Sequence, residues 1–350
     1  MNVYRHPSAD ASPRTSAPAV LPRVPPGAAI SATDRDPSHG RQADSPTQMP
    51  AKGWIDVLKR TYRESNEDNL SLVAAGVAFY AFLAFVPLLA ALVLTYGLVA
   101  EPESVVRHIQ DITTVMPADA ARIIGDQLLS VTQTAQGKKG FGLIVALFLA
   151  LYGAMRGATS IVTALNIVYE EKETRGIVKT NLLSFAITVG TVLVGVVAIL
   201  AVSAMGYVDQ LLPTSSPAVH TALRVVFWAA AALAGSGAIA ALYRYGPNRD
   251  KAKWRWLTPG SIAATLLWLA ATVGFGIYVS NFGNYNATYG SLGAVVVLLM
   301  WLYLSAYVLL MGAEMNAELE HQTERDTTTG PEKPMGARGA QVADTVAPSA

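Results

Sequence analysis

Between Leu70 and Ala313 the chain repeats one pattern: long apolar runs, almost free of charge, set off by short polar segments. The stretches Leu70–Ala100, Asn181–Gly206 and Leu257–Gly290 contain no Asp, Glu, Lys or Arg at all. A run of about 18 or more apolar residues is long enough to cross a hydrocarbon core of about 30 Å as a helix. Six such runs are predicted, at about residues 70–98, 141–166, 182–205, 222–243, 257–279 and 292–313. The first would measure roughly 44 Å as a straight helix and contains Pro87, so it must tilt, kink or break. The fold class is therefore all-α, a polytopic membrane protein with six transmembrane helices.

The segments around these spans have patterns of their own. Trp54, Ile55, Leu58 and Tyr62 fall at helical spacing among Lys52, Lys59, Arg60 and Arg63. An N-terminal interfacial helix over 52–69 follows, with aromatic rings at headgroup depth and basic groups near lipid phosphates. The same pattern also fits a helix packed on the protein's own cytoplasmic face. Between the first two spans, Val105, Val106, Ile109, Ile112, Val115 and Met116, then Ile123, Ile124 and Leu128, recur near 3.6 spacing around Pro117. That spacing predicts an outer-face helical hairpin over about 101–139.

Residues 1–50 hold nine of the 19 prolines and read as a disordered tail, as do residues 321–350, because neither has apolar surface enough to offset its ordering entropy. The first apolar stretch, Ala17–Ile30, is broken by Arg23 and four prolines and does not read as a signal peptide. The membrane domain accordingly spans 51–320.

Composition sharpens the assignment. Only 15% of the 350 residues are charged and 52% are hydrophobic, against about 25% charged in ordinary soluble domains. The net charge of +1 provides no field to recruit nucleic acid, and none is expected as a partner. Cysteine is absent, which excludes disulfides, thiolate nucleophiles and thiolate metal sites. The placement of Lys and Arg gives the topology. Lys52, Lys59, Arg60 and Arg63 precede the first span; Lys172, Arg175 and Lys179 lie between spans two and three; Arg244, Arg249, Lys251, Lys253 and Arg255 lie between four and five. The connections Tyr207–Thr221 and Ser280–Ser291 have none. By the positive-inside rule both termini are cytoplasmic.

Four stretches in order resemble the YihY/virulence factor BrkB family, bacterial inner-membrane proteins formerly mislabelled ribonuclease BN. They are Asp68-Asn-Leu-Ser-Leu-Val-Ala-Ala-Gly-Val-Ala-Phe-Tyr80, running on to Pro87; Ala164-Leu-Asn-Ile-Val-Tyr169, with Arg175 beyond; Tyr243-Arg-Tyr-Gly-Pro-Asn248, followed by Trp256-Leu-Thr-Pro-Gly260; and Tyr289-Gly-Ser-Leu-Gly293, leading to Met311-Gly-Ala-Glu-Met-Asn-Ala317. The resemblance covers 54–320. It implies a six-helix inner-membrane protein tied to envelope and resistance phenotypes, with lipid or solute movement proposed and no agreed catalytic residues.

The residues do not support nuclease chemistry. A metal-dependent nuclease needs clustered His, Asp or Glu to hold a cation and activate water. The five histidines (His6, His39, His108, His220 and His321) are scattered, and none lies in a span. There is no Gly-x-x-x-x-Gly-Lys-Ser/Thr phosphate cradle, so no nucleotide-driven pump. The chain reads as a non-enzyme, with no metal and no cofactor expected. Gly153-Ala-Met-Arg-Gly157 is a close-packing motif, read as packing within the bundle.

Arg156 is the sharpest polar residue, because a guanidinium inside a span costs at least about 2.5–3.5 kcal/mol. It either snorkels or pairs structurally, with Glu314 or Glu170, or else recognises an anion from a cavity through its planar fork. Asn166, Tyr169 and Arg175 extend that polar face toward the cytoplasm. Arg244, Asn248 and Arg249 close the fourth span, either as topology anchors or as an anionic headgroup site. Pro87, Gly274, Gly276 and the Asn281–Tyr289 segment mark places where helix hydrogen bonds can break, as at transporter sites, or simple kinks. Glu314 and Asn316 end the sixth span. A carboxylate there opposes the helix dipole and calls for a cation, with Arg156 and Arg244 as candidates. Arg156, Arg175, Arg244, Asn248 and Arg249 are thus the candidate anion- or lipid-binding residues; Pro87, Asn166, Tyr169, Tyr289, Glu314 and Asn316 are pathway or pairing candidates. Two functions stand: a transporter or flippase-like protein for an anionic lipid, envelope precursor or other amphipathic solute, and a non-transporting scaffold for envelope integrity. Membrane lipids are the expected partners, with a homo-oligomer left open.

The cysteine-free background makes the topology directly testable. Asp250→Cys should resist an impermeant thiol reagent in intact cells while Thr214→Cys reacts; the reverse pattern would invert the protein.

Overall fold

The structure, a computed structural model, describes residues 37–97, 141–211, 217–282 and 291–347. Among the described residues there are eight α-helices and no strands, only an isolated antiparallel bridge between Ala252 and Thr328. In chain order the helices are α1 Ala51–Glu67, α2 Leu70–Gly97, α3 Phe141–Val168, α4 Ile177–Leu211, α5 Pro217–Tyr245, α6 Trp254–Phe282, α7 Ser291–Gln322 and the short α8 Gln341–Asp344. Among the described residues four of them, α4 to α7, are long and apolar enough to cross a membrane. α2 and α3 have 28 residues each, and α2 continues through Pro87. The expected outer hairpin over 101–139 and Tyr289 lie outside the described residues.

α7 is the hub. It packs on α1, α2, α3 and α6, while α4 lies at the edge against α3 and α5. The main core sits where one end of each of five helices meets: Leu70, Ala74 and Val77 of α2, Ala164, Leu165 and Val168 of α3, Ala240 and Tyr243 of α5, Leu257 of α6, and Leu310, Ala313 and Ala317 of α7. At the far end Phe275, Val279 and Val297 pack with Trp301 and Leu304. The outer faces of α4 and α5 expose Leu182, Leu193, Leu200, Val225 and Leu233, as a lipid-facing surface requires.

Small residues set the α6–α7 distance. A Cβ on Gly260 would lie 2.5 Å from the Asn316 side chain, and one on Gly312 would lie 2.6 Å from both Ala264 Cβ and Gly260 O. Asn316 then fits its amide against α6, accepting from Gly260 N at 2.8 Å and donating to Leu257 O at 3.0 Å. Gly157 also lies where α3 meets α2, but a Cβ there would sit 3.6 Å from Tyr80 O and Ala84 Cβ, an ordinary contact.

α1 turns its apolar side away from the protein, as an interfacial helix requires, and departs from expectation at Arg60. Its buried face is Gly53, Asp56, Val57, Arg60, Thr61 and Ser65, while Ile55, Leu58 and Tyr62 are 52%, 55% and 70% exposed. Arg60, expected among lipid phosphates, is buried in the protein instead and donates to Glu318 Oε2 and Gln322 Oε1, both at 2.5 Å. Lys52, Lys59 and Arg63 do stay exposed.

The tails also differ from expectation, over residues 37–50 and 321–347. His39 pairs with Asp56 at 2.5 Å, Arg41 is buried and donates to Ala347 O at 2.5 Å, and Gln322 Nε2 donates to His39 O at 2.7 Å. Thr329 N donates to Lys251 O at 2.9 Å, and Lys253 N to Thr327 O at 2.8 Å. Composition points to disorder because it counts apolar area, whereas these segments are held by polar side chains that satisfy backbone groups.

The α6–α7 contact makes a sharp prediction. Gly312→Ala should lower the thermal midpoint of the purified protein by an overpacking penalty of about 1–3 kcal/mol. Gly237→Ala, where a Cβ meets nothing within 4 Å, should be neutral or mildly stabilising.

Candidate functional site

Asn166, Tyr169, Arg175, Asn248 and Arg249, singled out in the sequence, converge at the α1 end of the bundle, and the way α3 stops explains why. Glu170 takes φ +54°, a left-handed turn that terminates the helix. Its N–H donates to Ile167 O at 2.9 Å and the Glu171 N–H to Asn166 O at 2.7 Å, the paired bonds of a Schellman cap. That cap turns residues 171–176 back toward the loop between α5 and α6. Asn166, on the last turn of α3, then ties the two loops together. Its Oδ1 accepts from Asn248 N at 2.8 Å and its Nδ2 donates to Glu173 Oε2 at 3.0 Å. Glu173 holds Arg175 through two bonds of 2.8 and 2.6 Å, and Arg175 also donates to Gly246 O at 3.0 Å. Asn248 Nδ2 completes the junction on Lys172 O at 2.7 Å and Thr174 Oγ1 at 2.8 Å. Hydrogen bonds from Arg175 hold the Glu173 carboxyl below its ordinary range despite partial burial.

A second ion pair lies deeper. Arg249 donates to both oxygens of Glu320 at 3.0 and 2.6 Å, and both side chains are buried. The Tyr169 ring lies 5.1 Å from the guanidinium, and Thr327 Oγ1 donates to Glu320 Oε2 at 2.6 Å. Burial disfavours the Arg249 charge, but Glu320 outweighs it and raises the Arg249 pKa.

Arg175 and Arg249 therefore have their forks engaged by carboxylates of the protein. Arg244 and Arg156 are differently placed. Arg244 donates to Ala252 O and stacks between Trp254, 4.9 Å from the ring centroid, and Tyr245 at 5.7 Å, with its Nε unpartnered. Trp254 and Tyr245 are themselves exposed, and Lys251 Nζ lies 5.0 Å from the Tyr245 ring. Arg156 is exposed on α3, near the middle of the helix, and donates to the Tyr152 hydroxyl at 3.1 and 2.7 Å. One turn on, Thr159 Oγ1 meets Ser184 Oγ of α4 at 2.9 Å, and Ser160 Oγ is buried without a partner.

Glu314 is where expectation and structure part. Neither Arg156 nor Arg244 reaches it; it is 2% exposed, and its Oε2 has no hydrogen-bond partner. Its neighbouring charges are other carboxylates, Asp68, Glu318, Glu64 and Glu170. Arg60, Glu173, Glu318 and Glu320 were not among the sequence candidates. A signal for one of them existed: Gly53, Asp56, Arg60 and Thr61 recur at helical spacing, a polar stripe complementary to an acidic helix end. Among the described residues, no three His, Cys, Asp or Glu side chains group so as to hold a metal ion.

Comparison with known proteins bears on these residues as a set. The profile of the Virulence factor BrkB family matches residues 61–336. The chain is 32% identical over 251 residues to a putative ribonuclease-like protein, YfkH, of Bacillus subtilis, covering 70% of this chain and 88% of that one. It is 28% identical over 282 residues to a UPF0761 membrane protein of Photobacterium profundum (80% and 85% of the two chains). It is 31% identical over 296 residues to one from Rhodospirillum centenum, covering 83% of this chain and 63% of that one. No solved structure matches.

The buried Arg249–Glu320 pair should dominate stability at this junction. Arg249→Ala should cost about 3–5 kcal/mol, because it strands a buried carboxylate, whereas Arg249→Met combined with Glu320→Met should recover most of the loss in a double-mutant cycle of thermal midpoints. An exposed pair would show less than about 1 kcal/mol and no recovery.

Proposed function

The chain belongs to the virulence factor BrkB family, integral membrane proteins of bacteria, and from that premise we propose that it crosses the inner membrane six times and moves an amphipathic anion between leaflets. The favoured cargo class is an anionic lipid or envelope precursor. Both termini lie in the cytoplasm in this reading, with the basic loops and α1 at the inner interface.

The observation that carries the reading is Arg156. An exposed guanidinium near the middle of a spanning helix is expensive in lipid unless water or an anion reaches it, and the Tyr152 hydroxyl is too weak a partner to offset that. The hydroxyls of Thr159, Ser160 and Ser184 continue a polar face beside it, where α4 borders α3. Arg244 supports the same reading from the loop end. Its cation sits between exposed aromatic rings, a combination suited to a phosphate with an acyl chain attached. Arg175, Asn248, Arg249, Asn166, Tyr169 and Asn316 act in this reading as the frame that fixes the loops rather than as cargo ligands.

The ribonuclease-like name of the Bacillus subtilis relative belongs to that protein, and we do not extend it to this chain: the scattered histidines provide no metal-ligand set for hydrolysis. The second reading, a membrane scaffold for envelope integrity, would rest on the same polar frame without using Arg156.

Reconstitution separates the two. In vesicles containing fluorescent phosphatidylglycerol, the wild-type protein should speed exchange between leaflets. Arg156→Ala should slow it about tenfold, the worth of one charge-assisted hydrogen bond. Arg156→Lys should restore only part, since an ammonium lacks the planar fork. Exchange no faster than in empty vesicles, from a folded protein, would favour the scaffold.

A further inference from the structure

The carboxylates around Glu314 have too few cations. Asp68 lies at the elbow between α1 and α2, immediately before Asn69, whose φ of +52° makes the bend. Glu64 and Glu67 reach this elbow from α1, Glu170 from the strained turn after α3, and Glu314 and Glu318 from α7. The positive groups nearby already have partners. Arg60 is bound by Glu318 and Gln322, Arg63 lies 3.0 Å from Glu64 and 3.6 Å from Glu67, and His321 is 3.6 Å from Glu318 and 2.6 Å from Thr345. What is left is a buried carboxyl oxygen, Glu314 Oε2, without a donor, and Asp68 is foremost among the carboxylates whose charge acts on it. The buried Tyr169 hydroxyl, beside Asn316, is a further neutral group on the Glu314 side.

We propose that Glu314 and Asp68 form a proton-binding site at the junction of α1, α2 and α7. A buried carboxylate with no donor is unstable as an anion, and the side chains around it do not neutralise it. A small cation from solution must do so. The acidic groups do not come together as a metal-binding set among the described residues, and a proton needs one oxygen and no coordination shell. Asp68 behaves accordingly: burial, then the charges of Glu170, Glu64, Glu67 and Glu318, push its pKa up to about 7. Proton occupancy then sets the repulsion across the elbow, and with it how firmly α1 docks. The site stands whether or not the protein transports lipid.

The sign of the pH dependence follows. A carboxyl whose pKa is raised on folding holds its proton in the native state at pH values where the unfolded chain has lost it, so stability declines as pH rises toward 7 and levels off above it. The full-length protein in lipid nanodiscs should show the infrared carbonyl band of an un-ionised carboxylic acid, shifted in deuterium oxide and titrating near pH 7. Glu314→Gln should remove intensity from that band and raise the thermal midpoint at alkaline pH. Asp68→Asn should flatten the dependence of the midpoint on pH. If Glu314→Gln does not fold, Asp68→Asn carries the test, and an unchanged pH dependence in that variant overturns the proposal. So does a band that persists intact in folded Glu314→Gln. Stabilisation by sodium or calcium chloride at fixed pH, present in the wild type and lost in Glu314→Gln, would assign the site to a metal cation instead.

Discussion

Three carboxylates buried on the last turns of α7, Glu314, Glu318 and Glu320, define how this end of the protein is assembled. They lie at a helix C-terminus, where the backbone dipole already disfavours negative charge, and out of reach of bulk water. Each has a different solution. Glu318 takes Arg60 from α1, Glu320 takes Arg249 from the loop between α5 and α6, and Glu314 has no cationic side chain. The two arginines fix where α1 and that loop can sit, and the folded terminal segments close over the result by binding Gln322, Thr323 and the 250s loop. Hydrophobic packing brings the helices together, but the register of everything outside the spans follows from neutralising α7.

This division explains what could be read from the amino-acid order. The helices α4 to α7 are visible because lipid accepts only long apolar runs there. Their ends are less so: α4 extends from Ile177 to Leu211, past the expected 182–205, since Lys179 and Asp209 continue the helix after the apolar run has ended. Apolarity marks where a helix meets lipid, not where it stops. For α1 the periodicity gives the helix and the outward turn of Ile55, Leu58 and Tyr62, since in a membrane protein the face toward lipid is the apolar one, but it does not assign Arg60 to the opposite, inner face. Arg60 lies there, opposite an acidic helix end 258 residues away.

The candidate site divides along the same line. Asn166, Arg175, Asn248 and Arg249 stand out as polar residues at span ends, and the structure does bring them together. Their partner Glu320 looks like an ordinary helix-end charge, since pairing across 71 residues leaves no local trace, whereas Glu173 sits only two residues from Arg175 and seven from Asn166, a local spacing that the sequence does show. Arg156 is the reverse case. Its cost in a span is plain from the sequence, and the structure leaves it outside the carboxylate network that engages its counterparts.

The reach of the Arg60–Glu318 pair also constrains the order of events during synthesis. α1 is among the first helices made and α7 among the last, so Arg60 on the inward face of α1 lacks its carboxylate until nearly the whole chain has left the ribosome. During that interval Arg60 must stay hydrated, while Ile55, Leu58 and Tyr62 are exposed on the opposite face in any case. Docking of α1 is then a closing step, made only once the final helix is in place. A chain that stops short of Glu318 keeps an undocked, wet arginine face at its start, a feature by which quality-control proteases could tell unfinished copies from finished ones.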